Sequence, residues 1–92
     1  MKGIQVIHQA GEDVLAPRGV RQWDIWTKEV SKFPWTYDCT EHCYFLSGEV
    51  VVTTEGEAPV QIGTGDFVTF AAGLSCTWDI RSPVRKHYRF ED

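Results

Sequence analysis

No apolar run in the 92 residues approaches the roughly 20 that a membrane-spanning helix needs. The opening stretch Met1-Lys2-Gly3-Ile4-Gln5 also lacks the apolar centre of a secretory signal, so the expectation is a soluble, unprocessed, cytoplasmic chain without a membrane partner. Cysteine is scarce and odd in number, with Cys39, Cys43 and Cys76 alone. A small secreted domain stapled by disulfides carries an even set of four or more, and a reducing compartment fits better. Cys39 and Cys43 stand four apart, but the second pair that a zinc knuckle needs is missing, which argues against structural zinc. Nine basic against thirteen acidic side chains give a formal charge of -4, and Lys and Arg gather only in a short stretch near the end. Nucleic acid is therefore not an expected partner. Helical periodicity is absent as well, apart from Lys28-Glu29-Val30-Ser31-Lys32, which predicts one turn of helix closed by Pro34.

Aromatic and apolar side chains, by contrast, are plentiful and fall in short runs. Four Trp, three Tyr and five Phe stand within a hydrophobic share of 42%, enough for one small core and above the level of a disordered chain. The length makes residues 1–92 a single domain. Strand signals recur about every ten positions with turn residues between them, which points to an all-β barrel or sandwich. The expected strands cover residues 4–8, 20–27, 33–38, 42–47, 49–54, 59–62, 66–70, 75–80 and 84–90. Glu55-Gly56-Glu57, Gly63-Thr64-Gly65-Asp66 and Ala72-Gly73 supply the turns, and Arg81-Ser82-Pro83 is expected to end a strand.

Alternation assigns faces to two of these segments. Over 75–80, Cys76, Trp78 and Ile80 share the apolar face while Ser75, Thr77 and Asp79 share the wet one. Over 84–90, Val84, Tyr88 and Phe90 are apolar, and Arg85, His87 and Arg89 form a row expected to be solvated. Lys86 then falls among the core residues, where its ammonium either meets a partner inside or reaches back to the rim.

Residues 35–48 read Trp-Thr-Tyr-Asp-Cys-Thr-Glu-His-Cys-Tyr-Phe-Leu-Ser-Gly, and Glu41 through Gly48 resembles the second half of the first motif of the cupin superfamily. Gly65-Asp-Phe-Val-Thr-Phe-Ala-Ala-Gly73 resembles the second motif, with Ala71 where proline is usual. The likeness runs from Trp23 to Tyr88. Within the superfamily it is similar to the small cupins grouped with ureidoglycine aminohydrolase, through Trp23-Asp24-Ile25-Trp26 and Arg85-Lys86-His87-Tyr88. The resemblance implies a small antiparallel jelly-roll barrel. Open edges in so small a barrel favour a homodimer, closed further by an N-terminal strand given to or taken from a second copy.

A typical metal-binding cupin holds its ion with two histidines one residue apart, a glutamate, and a third histidine from the second motif. Counting from Glu41 puts Trp35 and Tyr37 at the first two positions, and counting from Gly73 puts Cys76 at the third. Only the glutamate is kept. An indole is no ligand and a phenol an uncommon one, so no metal or other cofactor is expected, although a soft set of Glu41, Cys43 and Cys76 is compatible with strand parity. His42 and His87 face away.

In place of the metal the sequence puts a cup of Trp35, Tyr37, Glu41, Cys76 and Trp78, with Lys86 beside it. Three functions follow. The first is a small-molecule binding protein that holds a polar metabolite without transforming it. The second is a metal-independent isomerase, epimerase or hydrolase, with Glu41 as general acid or base, Tyr37 or Lys86 as its counterpart, Trp35 and Trp78 as stacking walls, and Cys76 as a further catalytic candidate. The third is a metal-dependent aminohydrolase of the kind the resemblance implies. Each residue also has a plainer role: Trp35 and Trp78 as core filling, Cys76 as an inert small hydrophobe, Glu41 and Lys86 as a structural pair, and Asp66 as a turn residue.

Overall fold

The computed structural model describes residues 3–91. Among them seven strands form, all pairing antiparallel: β1 (Ile4–Ile7), β2 (Asp24–Lys28), β3 (Ser31–Thr36), β4 (Thr40–Thr53), β5 (Val60–Gly63), β6 (Phe67–Phe70) and β7 (Ser75–Glu91). The spine is the β4–β7 pair, which runs from Thr40 opposite Glu91 to Thr53 opposite Thr77. Both strands are far longer than the usual ~5–6 residues, at 14 and 17.

A long strand pair stays in a small domain only if it bends, and the sequence supplies the bend. The β4–β7 register shifts between Phe45 and Val50. There Gly48 adopts φ +107°, and a Cβ on it would lie 2.4 Å from the carbonyl oxygen of Pro83. Only glycine permits that backbone and that approach. The neighbouring lines of chain break at the same level. Strands β2 and β3 follow one another along β7, interrupted at Glu29 and Val30, and β6 and β5 follow one another along β4, interrupted between Gly63 and Phe67. The sheet therefore folds over itself into a half of order β1-β6-β4-β7-β2 and a half of order β5-β4-β7-β3. The hydrogen-bonded path runs from β1 to β2 without joining those ends. The main core, including Phe45, Val50, Val52, Phe70, Trp78 and Ile80, lies between the two inner faces.

A second core lies on the outer face. Helix α1 (Glu12–Leu15) and two short 3₁₀ turns, Ala16–Arg18 and Val20–Gln22, bring Leu15, Val20 and Trp23 against Phe67 and Tyr44. No helix among the described residues is long and apolar enough to cross a membrane.

The expected fold class holds as an all-β, antiparallel fold, with several corrections. Residues 42–47 and 49–54 are one strand, as are 75–80 and 84–90, because Pro83 sits at the bend, where its missing N–H breaks no ladder bond. Residues 28–32 form no helix; they are the corner between β2 and β3, whose flanks gain more from pairing with β7 than one helical turn can supply. The predicted strand over 20–27 begins as a 3₁₀ turn. His87 is buried, in contact with the Trp23 carbonyl, while Arg85 and Arg89 on the same row are exposed. Strand β1 pairs with β6 of its own chain, so no second copy is needed to place it.

Candidate functional site

Alternation on β4 turns Glu41, Cys43 and Phe45 inward, and on β7 it turns Val84 and Lys86 inward to meet them. Phe45 is the direct cross-strand partner of Lys86, so the lysine stem packs on an aromatic ring and its end reaches toward Cys43 and Glu41. The ammonium donates to Glu41 Oε2 at 3.2 Å and to Cys43 Sγ at 3.1 Å. Lys86 is only 3% exposed and Glu41 5%. This disposes of the rim-reaching alternative for Lys86. The same ammonium lies over the rings of Trp78, Trp26 and Phe45, at 4.8, 5.0 and 5.8 Å from their centroids, which holds it in place further.

These two charges open onto a cavity of about 180 Å³ between the halves of the sheet. Seven aromatic side chains line it with them: Trp26, Phe33, Trp35, Tyr37, Trp78, Tyr88 and Phe90. Trp35 and Phe90 are each about half exposed, so they form a lip where core filling was the plainer expectation for Trp35. Trp78 and Tyr37 are buried; the Trp78 indole N–H donates to the Tyr37 hydroxyl at 3.1 Å, and the Tyr37 ring stacks on Phe70. Thus Trp35, Tyr37, Glu41, Trp78 and Lys86 come together as the sequence predicted. Cys76 faces inward too, but it sits in the core cluster behind the lining. Trp26, Phe33, Tyr88 and Phe90 complete the cup and were not singled out. Alternation on 84–90 put Tyr88 and Phe90 on the right face, whereas Trp26 and Phe33 needed the knowledge that β2 and β3 both run beside β7.

Protonation separates the candidates. Burial raises the Cys43 thiol to about 12, despite the opposing ammonium of Lys86. Burial, with the nearby Glu41 as the next cause, pushes the Tyr37 phenol far above its ordinary range. Burial also raises the Cys76 thiol, although a Trp78 hydrogen bond opposes it. All three keep their protons at neutral pH, which removes the thiolate or phenolate that a nucleophilic or basic role would need. For Lys86, burial pulls toward the neutral amine, and its contacts with Cys43 and Glu41 outweigh that, so the ammonium is held above the usual lysine value. Because Cys43 is a thiol at neutral pH, Glu41 is the counter-ion there.

The four positions that the first and second motifs would give to a metal hold Trp35, Tyr37, Glu41 and Cys76. They do not fit one. The carboxylate is engaged by an ammonium, the phenol accepts from an indole, and among the described residues no three of His, Cys, Asp and Glu stand together as a ligand set. His42 and His87 lie on the outer face, in contact with Thr69 and with the Trp23 carbonyl. Asp66 takes backbone N–H groups from Gly63 and Gln9, as a turn residue does. A more open depression near it, lined by His8, Glu49 and Gln61 among others, has none of the aromatic enclosure of the cup.

Residues 15–88 match the EutQ-like cupin domain family. A DUF861-family protein from Thermotoga maritima is 44% identical, with a TM-score of 0.91 over 96% of this chain and 99% of that one. Ethanolamine utilization protein Q of Salmonella typhimurium is 30% identical, with a TM-score of 0.62 over 70% of this chain and 51% of that one, so this chain spans about half of its length. A DUF861-family protein of unknown function from Pseudomonas syringae pv. tomato is 28% identical, with a TM-score of 0.64 over 70% of this chain and 28% of that one. No functionally curated protein matches.

Proposed function

The chain belongs to the EutQ-like cupin family, and we propose that it is a metal-independent cupin that binds one small metabolite in the aromatic cup. The observation that carries this reading is a buried ammonium–carboxylate pair, Lys86 and Glu41, at the floor of a half-open cavity with aromatic walls. A buried ion pair is poor value as a stabiliser, since apolar residues of equal volume serve as well or better. Placed at the floor of a cavity, it supplies the few convergent polar groups that fix a ligand's orientation. The cavity is smaller than the ~300–1,000 Å³ of drug-sized sites, which suits a compact metabolite.

The bent sheet is read as the jelly-roll of the superfamily. Kinship with the ureidoglycine aminohydrolase type rests on residues 23–26 and 85–88, and a homodimer rests on the outer strands β1, β2, β3 and β5, each paired on one side only among the described residues. The second reading, a metal-independent isomerase, epimerase or hydrolase, keeps one supporting observation: Glu41 and Lys86 are an acid–base pair in contact with the cavity. A screen of small planar metabolites by thermal shift and tryptophan fluorescence tests the binding reading. Compounds that raise Tm on the wild type should weaken at least tenfold on Trp35→Ala, a lip residue whose exposure spares the fold. A screen in which no compound raises Tm would overturn it, and turnover of a bound compound would favour the enzyme.

A further inference from the structure

The internal pairing of the two charges says what kind of ligand the cup accepts, if it is a binding site as proposed above. Lys86 and Glu41 neutralise each other at 3.2 Å, so the floor of the cavity presents a donor and an acceptor side by side with no net charge. An anion entering would be drawn to the ammonium and repelled by the adjacent carboxylate, and a cation the reverse. In either case the two terms nearly cancel while the loss of hydration remains. A neutral ligand escapes that penalty. The ammonium has three N–H donors, of which Glu41 and Cys43 take one each, and the carboxylate has about four lone-pair sites, so both keep capacity for a further bond. Walls such as Trp26, Trp35 and Tyr88 call for a flat body.

We infer that the cup is specific for neutral planar compounds that carry a carbonyl acceptor next to an N–H donor, that is, aromatic or cyclic amides, the carbonyl accepting from Lys86 and the N–H donating to Glu41. No metal and no charged group on the ligand take part. The rings around the Lys86 ammonium hold it in place before the ligand arrives, so the selectivity is built into the empty cup.

The test uses three probes of one shape that differ in head-group charge: benzamide, benzoate and benzamidinium. Their Kd values are measured by calorimetry on the intact chain. Benzamide should bind at least tenfold more tightly than either ion. On Glu41→Gln the floor becomes cationic and benzoate should overtake benzamide by about tenfold; on Lys86→Met it becomes anionic and benzamidinium should lead. A charged probe binding tightest to the wild type would overturn the ligand class and leave the cup standing as a binding site. Absence of binding by all three to folded wild type would overturn the ligand class alone, and the metabolite screen above decides the binding reading separately. If a variant fails to fold, the wild-type ranking decides alone.

Discussion

Lys86 and His87 are neighbours on β7, both buried, and they face opposite sides of one sheet. His87 has its Nδ1 3.0 Å from the Trp23 carbonyl oxygen. A carbonyl only accepts, so that nitrogen carries the proton, and the ring is buried on the outer face, where a second core of Leu15, Val20 and Phe67 packs. Lys86 instead meets a carboxylate, a thiol and three rings, and still borders open space. One face satisfies its polar group with backbone and fills the remaining volume. The other uses a charge pair and leaves volume unfilled. The contrast separates structure from function better than burial does, since both residues would be scored alike by exposure alone.

Alkaline pH should break the inner face first. The folded state holds the Cys43 proton from the ordinary thiol value of 9.0 up to about 12. Between those limits the native state binds more protons than the unfolded one, so stability falls as pH rises. At about 1.4 kcal/mol per unit, the loss is on the order of 4 kcal/mol by pH 12. Lys86 and Tyr37 act in the same direction, because both are raised: their contributions are complete below their ordinary values and lost above them. Denaturant midpoints from pH 7 to 12 should fall steeply in the wild type and less steeply in Cys43→Ala. An equal slope would mean that the thiol ionises as freely in the folded state as in the unfolded chain.

The charge pair comes next. Glu41→Gln leaves a buried ammonium without its counter-ion, and Lys86→Met leaves a buried carboxylate; each should lower stability by about 3 kcal/mol. The double variant removes both charges and should recover most of that loss, which equilibrium unfolding of the four proteins would measure as a coupling. Additive losses would show that the two groups do not act as a pair, and the contrast with His87 would lose its basis.

Much of the inner face was legible because period-two alternation is a local signal. It turned Cys76, Trp78, Lys86 and Tyr88 inward without knowledge of the fold. The bend was not legible, since Arg81-Ser82-Pro83 looks like a terminator until Gly48 is seen lying against Pro83. Nor was the outer face. His87 looks exposed by alternation, because Arg85 and Arg89 flank it, and the Trp23 carbonyl that it meets is far away in sequence. Residues 12–22 were unreadable for a related reason: three short helical turns hold their shape by packing on Phe67 and not by any period of their own.

The outer face supplies the smallest effect and the sharpest control. His87→Ala removes the donor to the Trp23 carbonyl from a part-buried hydrogen bond, which should lower stability by about 1 kcal/mol. The change lies across the sheet from the cup, and β7 keeps its pairing with β4 and β2 through backbone groups the substitution does not touch. Affinity for any compound held by Lys86 and Glu41 should therefore stay within twofold of wild type in a direct titration, even as the unfolding midpoint drops. If affinity falls together with stability, the two faces are coupled through β7, and the N-terminal segment belongs to the site as a clamp on the strand that carries Lys86.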